Sequence, residues 1–233
     1  MFIGLSFLIT FLLPLETDRR LGGADIKGSG TLRLFGDGKF MLHAAVTFIF
    51  GGMFGVITTF LPNFVRTTTP FRFSWFFHCC ISILILIRLT AMRYLGRFNR
   101  NVIMAATFLA GAASNLFLNT LHWLPVLILV GILYGICHGF LYPMLNSITV
   151  SIVPEEDRGR ANALFTAIFS SGIISFSMGL GFLIDLTGTY LTAFNVSAAG
   201  GITAVVIIAL IAARYGGEPS PPPLASSSEE FDL

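Results

Sequence analysis

The sequence predicts an all-α integral membrane protein, a bundle of six transmembrane helices preceded by a short partial helix. Three observations carry this expectation. Of 233 residues, 55% are hydrophobic and 11% charged, against roughly 25% charged in an ordinary soluble domain. Apolar runs continue past the ~18 residues at which a bilayer span becomes the default reading. Basic residues gather on alternate connections between those runs, the pattern of the positive-inside rule. With so little polar surface, the composition argues against a soluble enzyme, a disordered chain and a nucleic-acid reader with a basic face. The lipid bilayer is the first partner.

Residues 1–14 form an apolar run too short to cross a membrane alone. No Lys or Arg precedes it, and Leu15-Glu16-Thr17-Asp18 follows, which does not suit a signal peptide. Residues 15–39, rich in Gly and in both charge signs, read as a solvated cytoplasmic loop. The six full spans are expected at 40–64, 73–95, 102–121, 124–152, 161–184 and 190–213, within a six-helix unit of residues 40–213. Each reaches about 20 residues, enough for ~30 Å of hydrocarbon at 1.5 Å per residue. Residues 214–233 hold a Pro-rich stretch and a Ser/Glu tail and are expected to be a disordered cytoplasmic segment.

Eleven of the 14 Lys and Arg fall on one side of this layout. Arg19, Arg20, Lys27, Arg33 and Lys39 precede the first span; Arg93, Arg97 and Arg100 follow the second; Arg158 and Arg160 follow the fourth; Arg214 follows the sixth. The opposite side has Arg66 and Arg72, and Arg88 lies within a span. The expectation is a multi-pass protein of the plasma or inner membrane with both ends of the six-helix unit cytoplasmic.

Inside the spans, Gly131, Gly135 and Gly139 form a four-residue repeat, as do Gly51 and Gly55, giving smooth ridges where helix backbones approach. Pro143 removes a backbone hydrogen bond in the fourth span, with a kink towards a cavity expected. Tyr134, His138 and Tyr142 lie within about 80° on that span, and Ser74, His78, Ser82 and Arg88 within about 120° on the second. On the fifth span Asn162, Thr166 and Ser170 repeat every four residues. Polar stripes of this kind avoid lipid by lining a cavity or bonding across helices. The candidate cavity residues are therefore His78, Ser82, Tyr134, His138, Tyr142, Asn162 and Thr166. No Asp or Glu lies inside a span. Cys79, Cys80 and Cys137 sit in apolar runs without metal or redox spacing and read as packing residues. No Gly-x-Ser-Gly nucleophile site occurs, and no enzyme activity, metal or cofactor is implied. A membrane haem protein using His43, His78 and His138 is disfavoured by depth, since His43 and His78 fall near opposite boundaries.

The stretch from Arg88 to Asn101 resembles the signature turn of the major facilitator superfamily, found between the eighth and ninth helices. Arg88, Arg93, Arg97 and Arg100 match its basic positions. Met92, Gly96 and Asn99 stand where that family often has Gly, Asp and Gly, so the capping carboxylate is missing. Leu133 to Asn146, then Val153 to Ala161 and Gly179-Leu180-Gly181, are similar to its tenth and eleventh helices with their loop. Asp185-Leu186-Thr187-Gly188 resembles the tight turn before helix twelve. The resemblance implies the second half of a secondary transporter that moves a small solute by alternating access, its cavity lined by the first, second, fourth and fifth helices. It makes Arg88, Arg93, Arg97 and Arg100 candidates for a cytoplasmic gating turn. It also implies a second six-helix half as partner, either a separate N-terminal half or a parallel copy of this chain. A truncated or non-transporting membrane subunit is the alternative.

Two outcomes follow from the charge pattern. A cysteine introduced at Thr68 is expected to react with impermeant maleimide on intact cells, and one at Gly30 or Ser227 only after permeabilisation. Arg97→Lys keeps the charge but loses the planar donor fork, so a gating role predicts impaired transport with unchanged labelling; normal transport would leave Arg97 a topological signal only.

Overall fold

The computed structural model describes residues 38–90, 99–151 and 158–215. They form six α-helices: α1 (Gly38–Thr68), α2 (Ser74–Thr90), α3 (Arg100–Phe117), α4 (Leu124–Ser151), α5 (Arg158–Thr187) and α6 (Tyr190–Tyr215), with a 3-10 turn at Leu118–Thr120. The predicted first run (1–14), most of the predicted loop (15–39) and nearly all of the tail (214–233) lie outside the described residues, as do Arg93 and Arg97. Five helices are long and apolar enough to cross a membrane. The second helix has 17 described residues, and the end of its predicted span, 91–95, is not among them.

Each helix boundary has a local cause. The Asn99 side chain accepts a hydrogen bond from the Asn101 N–H at 3.0 Å and caps α3, satisfying one of the four free donors of a helix start. Gly188 at φ 71° ends α5, its N–H donating to the Ile184 carbonyl at 2.7 Å, a left-handed stop that costs glycine no steric penalty. Within the helices Thr47, Thr107 and Thr149 donate their hydroxyls to the carbonyls of His43, Ile103 and Leu145 at 2.8–3.0 Å. In hydrocarbon that bond is the nearest way to satisfy a hydroxyl. Pro62 and Pro143 both lie inside helices that continue past them.

Packing is strongest between helices that are not neighbours in sequence: α1 with α5, α2 with α4, and α3 with α6. The first two pairs run parallel and meet backbone to backbone. A Cβ on Gly51 would collide with the Phe169 carbonyl, and one on Gly172 with the Phe48 carbonyl, so the close approach is reciprocal. One turn along, a Cβ on Gly55 would stand 2.8 Å from the Ile173 carbonyl oxygen. In the second pair Gly131 and Gly135 bring α4 against the carbonyls of Phe76 and Cys80, at 2.9 and 2.8 Å from their would-be Cβ atoms, while Gly139 meets the Ile87 side chain. Both predicted glycine ridges are thus contact ridges; Gly172, with no glycine three or four residues away, is the one that periodicity does not reveal.

The antiparallel pairs are held by side chains. Lys39 lies over the Tyr215 ring, 5.9 Å from its centroid, and at the other end of α1 the Asn63 amide donates to the Tyr190 hydroxyl. Asn119 and Asn195 exchange amide contacts at 2.7 and 3.3 Å between the 3-10 turn after α3 and α6. Ser114 donates to the Val130 carbonyl at 3.1 Å, joining α3 to α4. Cys80 and Cys137 are buried and all three cysteines are free thiols; the Cys137 sulfur fills the space over Gly111.

Gly51→Ala and Gly172→Ala are expected to lower the thermal stability of the detergent-solubilised chain by about 1–3 kcal/mol or more, because each methyl meets backbone that cannot rotate away. Gly159→Ala, with nothing within 4 Å of the added carbon, is expected to be neutral or slightly stabilising. Equal melting temperatures for Gly51→Ala and Gly159→Ala would show that the α1–α5 approach is looser than described.

Candidate functional site

Residues four apart on a helix drift by about 40° and stack along one ridge. On α4 that ridge carries Tyr134, His138, Tyr142 and, one turn further, Asn146. The glycines of α4 turn towards α2; on the ridge beside them Tyr134 meets Phe76 of α2 at 5.8 Å, while His138 and Tyr142 face α1 and α5. Those helices approach α4 far less closely than α2 does, and aromatic rings fill the space. The His138 imidazole stacks on Phe54 (centroids 5.0 Å apart, planes at 27°) and on Phe50 (5.6 Å, 29°) of α1. It lies nearly parallel to Tyr134, at 6.3 Å and 6°, and 5.8 Å from Tyr142. Tyr142 in turn sets its ring edge-on to Phe165 and Phe169 of α5, at 5.3 and 5.6 Å. Phe169 closes the circuit, 5.6 Å from Phe54 and 5.3 Å from Phe50. Offset and edge-to-face pairs of this kind contribute about 0.5–1.5 kcal/mol each beyond area burial.

The polar atoms of the ridge are not satisfied by the protein. Tyr134 Oη, His138 Nδ1 and Asn146 Oδ1 are buried without a hydrogen-bond partner, at about 1–3 kcal/mol each. The contrast with Thr149, which back-bonds to Leu145 on the same helix, is informative. A wall serving only packing would be cheaper with Phe at 134 and Leu at 146. Tyr134 is 3% exposed, whereas His138, Tyr142 and Phe54 are half-buried, so the ridge is closed at Tyr134 and open in its middle.

The remaining predicted cavity residues lie on other faces of the bundle. His78 and Ser82 are exposed, on the side of α2 opposite the buried residues Phe76, Cys80 and Ile87 that meet α4. His78 Nδ1 donates to the Ser74 carbonyl at 2.6 Å. Asn162 and Thr166 are exposed on α5, the Thr166 hydroxyl donating to the Asn162 carbonyl at 2.9 Å. These two stripes lie on the outer surface of the bundle, and the structure brings together only Tyr134, His138 and Tyr142. Arg88 is exposed in the last turn of α2 and Arg100 is half-buried in the first turn of α3. Among the described residues, no three His, Cys, Asp or Glu side chains are grouped to hold a metal ion.

Sequence reasoning missed Asn146 and the four phenylalanines. The Asn was accessible, since it continues the Tyr134 repeat by four. The rings were not: the chain has 24 phenylalanines, and nothing in their spacing separates those facing α4 from those facing lipid.

The sequence profile of the Major Facilitator Superfamily matches residues 43–232. No curated protein and no solved structure matches the chain. The match begins in the second turn of α1 and takes in the glycine ridges, the α4 polar ridge and the α5–α6 turn in one continuous stretch. A multi-pass helical bundle with this profile over most of its length belongs to the Major Facilitator Superfamily of secondary transporters.

Proposed function

We propose that the chain moves a small solute across the membrane by alternating access, with the α4 ridge as part of the solute-binding wall. The observation that carries this is the line Tyr134, His138 and Asn146, each with a buried polar atom that the protein leaves unpaired beside rings from α1 and α5. Buried polar groups are retained where a ligand or water completes them.

The same reading gives the bundle a covering partner. The outer sides of α2 and α5 combine large apolar residues, among them Ile85, Leu86, Ile174, Met178 and Phe182, with the polar stripes of His78, Ser82, Asn162 and Thr166. His78 and Thr166 each place one bond on their own helix, but the second imidazole nitrogen and the Asn162 amide would be costly against lipid, which favours a second six-helix unit against these two helices. That unit is either a separate N-terminal half or a second copy, oriented in parallel by the charge bias. Arg88 and Arg100, with Arg93 and Arg97, form the gating turn at the basic end, and both ends of the six-helix unit are cytoplasmic. The competing reading, a subunit that transports nothing, is supported only by the wall's lack of an opposite wall.

With the chain's three cysteines replaced by serine, Ser82→Cys and Thr166→Cys are expected to cross-link to a second six-helix chain in membranes. Reconstituted vesicles should show solute uptake that His138→Ala reduces about tenfold or more without loss of helical content. A chain that stays monomeric, escapes cross-linking and moves no solute would support the non-transporting reading.

A further inference from the structure

The wall around His138 restricts what it can hold. Residues 40–64, 102–151 and 161–184, which contain all of the rings described above, include no Asp, Glu, Lys or Arg. A charged solute seated here would lose its hydration and find no counter-ion on this wall. What the wall offers is ring surface and three unspent hydrogen-bonding atoms, Tyr134 Oη and His138 Nδ1 towards one end and Asn146 Oδ1 beyond Tyr142. Phe54, His138 and Tyr142, all half-buried, present the ring surface, and Phe50 and Phe169 back them at 5.6 Å. Tyr134 Oη, donor or acceptor, lies at the closed end of the same line, and His138 Nδ1 is buried one turn along it. Stacked rings recognise other flat rings through offset and edge contacts. Polar atoms at one end of the stack select a ring with a hydrogen-bonding edge.

Building on the transport reading, we propose that this wall binds an uncharged, planar aromatic solute with a polar edge, of the size of a nucleobase or an indole. The flat face lies against Phe54, His138 and Tyr142, and the polar edge is turned towards Tyr134 and His138. An aliphatic solute of equal volume gains the burial but not the ring contacts, and an anionic ring gains the ring contacts but pays for its charge.

The test uses the full chain in lipid nanodiscs with four radiolabelled probes: adenine and indole as uncharged flat rings, benzoate as an anionic ring and cyclohexanol as an uncharged non-aromatic ring. Saturable binding of adenine or indole is expected, about tenfold or more stronger than that of benzoate or cyclohexanol. Phe54→Leu, which keeps bulk and removes the ring, should weaken it about two- to tenfold. Tyr134→Phe, which keeps the ring and removes only the hydroxyl, should weaken adenine about tenfold; circular dichroism of both variants verifies that the helices are intact. Equal or stronger binding of cyclohexanol or benzoate, no saturable binding of either flat probe, or full affinity in both variants overturns the proposal. Flux in vesicles separates the two readings. A flat probe that binds with this variant pattern but is not carried leaves the site standing and removes the transport function, whereas carriage of benzoate or cyclohexanol alone leaves transport standing and removes this substrate class.

Discussion

Backbone contact between α1 and α5, and between α2 and α4, is the constraint on which the rest of the bundle depends. In a bilayer, lipid tails are as apolar as leucine, so helices do not associate to escape water. Association then rests on close van der Waals approach, and approach is closest where side chains are absent. Gly51 and Gly172 remove them from both sides of one contact, and Gly131 and Gly135 from one side of the other. Once these two parallel pairs are fixed, α4 stands away from α1 and α5, and that separation is filled by rings. The candidate site thus follows from where the glycines are: a tight seam of α4 with α2 leaves a wider one beside it, towards α1 and α5.

The two seams also treat polarity differently. Along the helices, hydroxyls turn back onto their own backbone, as Thr47, Thr107 and Thr149 do. At the ends, amides and hydroxyls pair across helices, as in Asn63 with Tyr190 and Asn119 with Asn195. In the wide seam, Tyr134, His138 and Asn146 each carry a buried polar atom without a partner, as Asn115 does on α3 and Ser197 on α6. Histidine and asparagine can also return to the i−4 carbonyl, as His78 does to Ser74 and Asn115 to Gly111, but His138 Nδ1 and Asn146 Oδ1 have no partner.

Much of this was legible in the sequence, for identifiable reasons. Helix existence was readable because charges and turn residues bracket each apolar run, as Lys39 and Arg66 do for α1 and Arg158 and Gly188 for α5. Helix ends ran past the apolar runs by two to four residues at several termini, since a helix continues into the interface until a cap or turn stops it, and hydropathy does not record caps. Periodicity correctly grouped Tyr134, His138 and Tyr142, and equally grouped His78 with Ser82 and Asn162 with Thr166. It gives the phase of a stripe on its own helix and says nothing about which neighbour the stripe meets. That second choice is made by the partner: Phe76, Cys80 and Ile87 face the α4 glycines, so the polar stripe of α2 points away. On α5, Phe165, Phe169 and Gly172 make the same choice against Asn162 and Thr166.

The pairing of α1 with α5 has a consequence for biogenesis. The chain is threaded into the bilayer from its N-terminus as it is made, and α1 leaves the insertion machinery three helices before α5 exists. At synthesis rates of about 5–20 residues per second, the glycine ridge of α1 spends several seconds without its permanent neighbour. During that interval a helix with exposed backbone is open to any other smooth helix in the membrane, including α4, whose own ridge arrives first. Correct assembly requires α4 to be taken by α2, already present, before it settles on α1. The order of the spans along the gene is thus a timetable in which each smooth surface meets a waiting partner or must wait for one, and α1 waits longest.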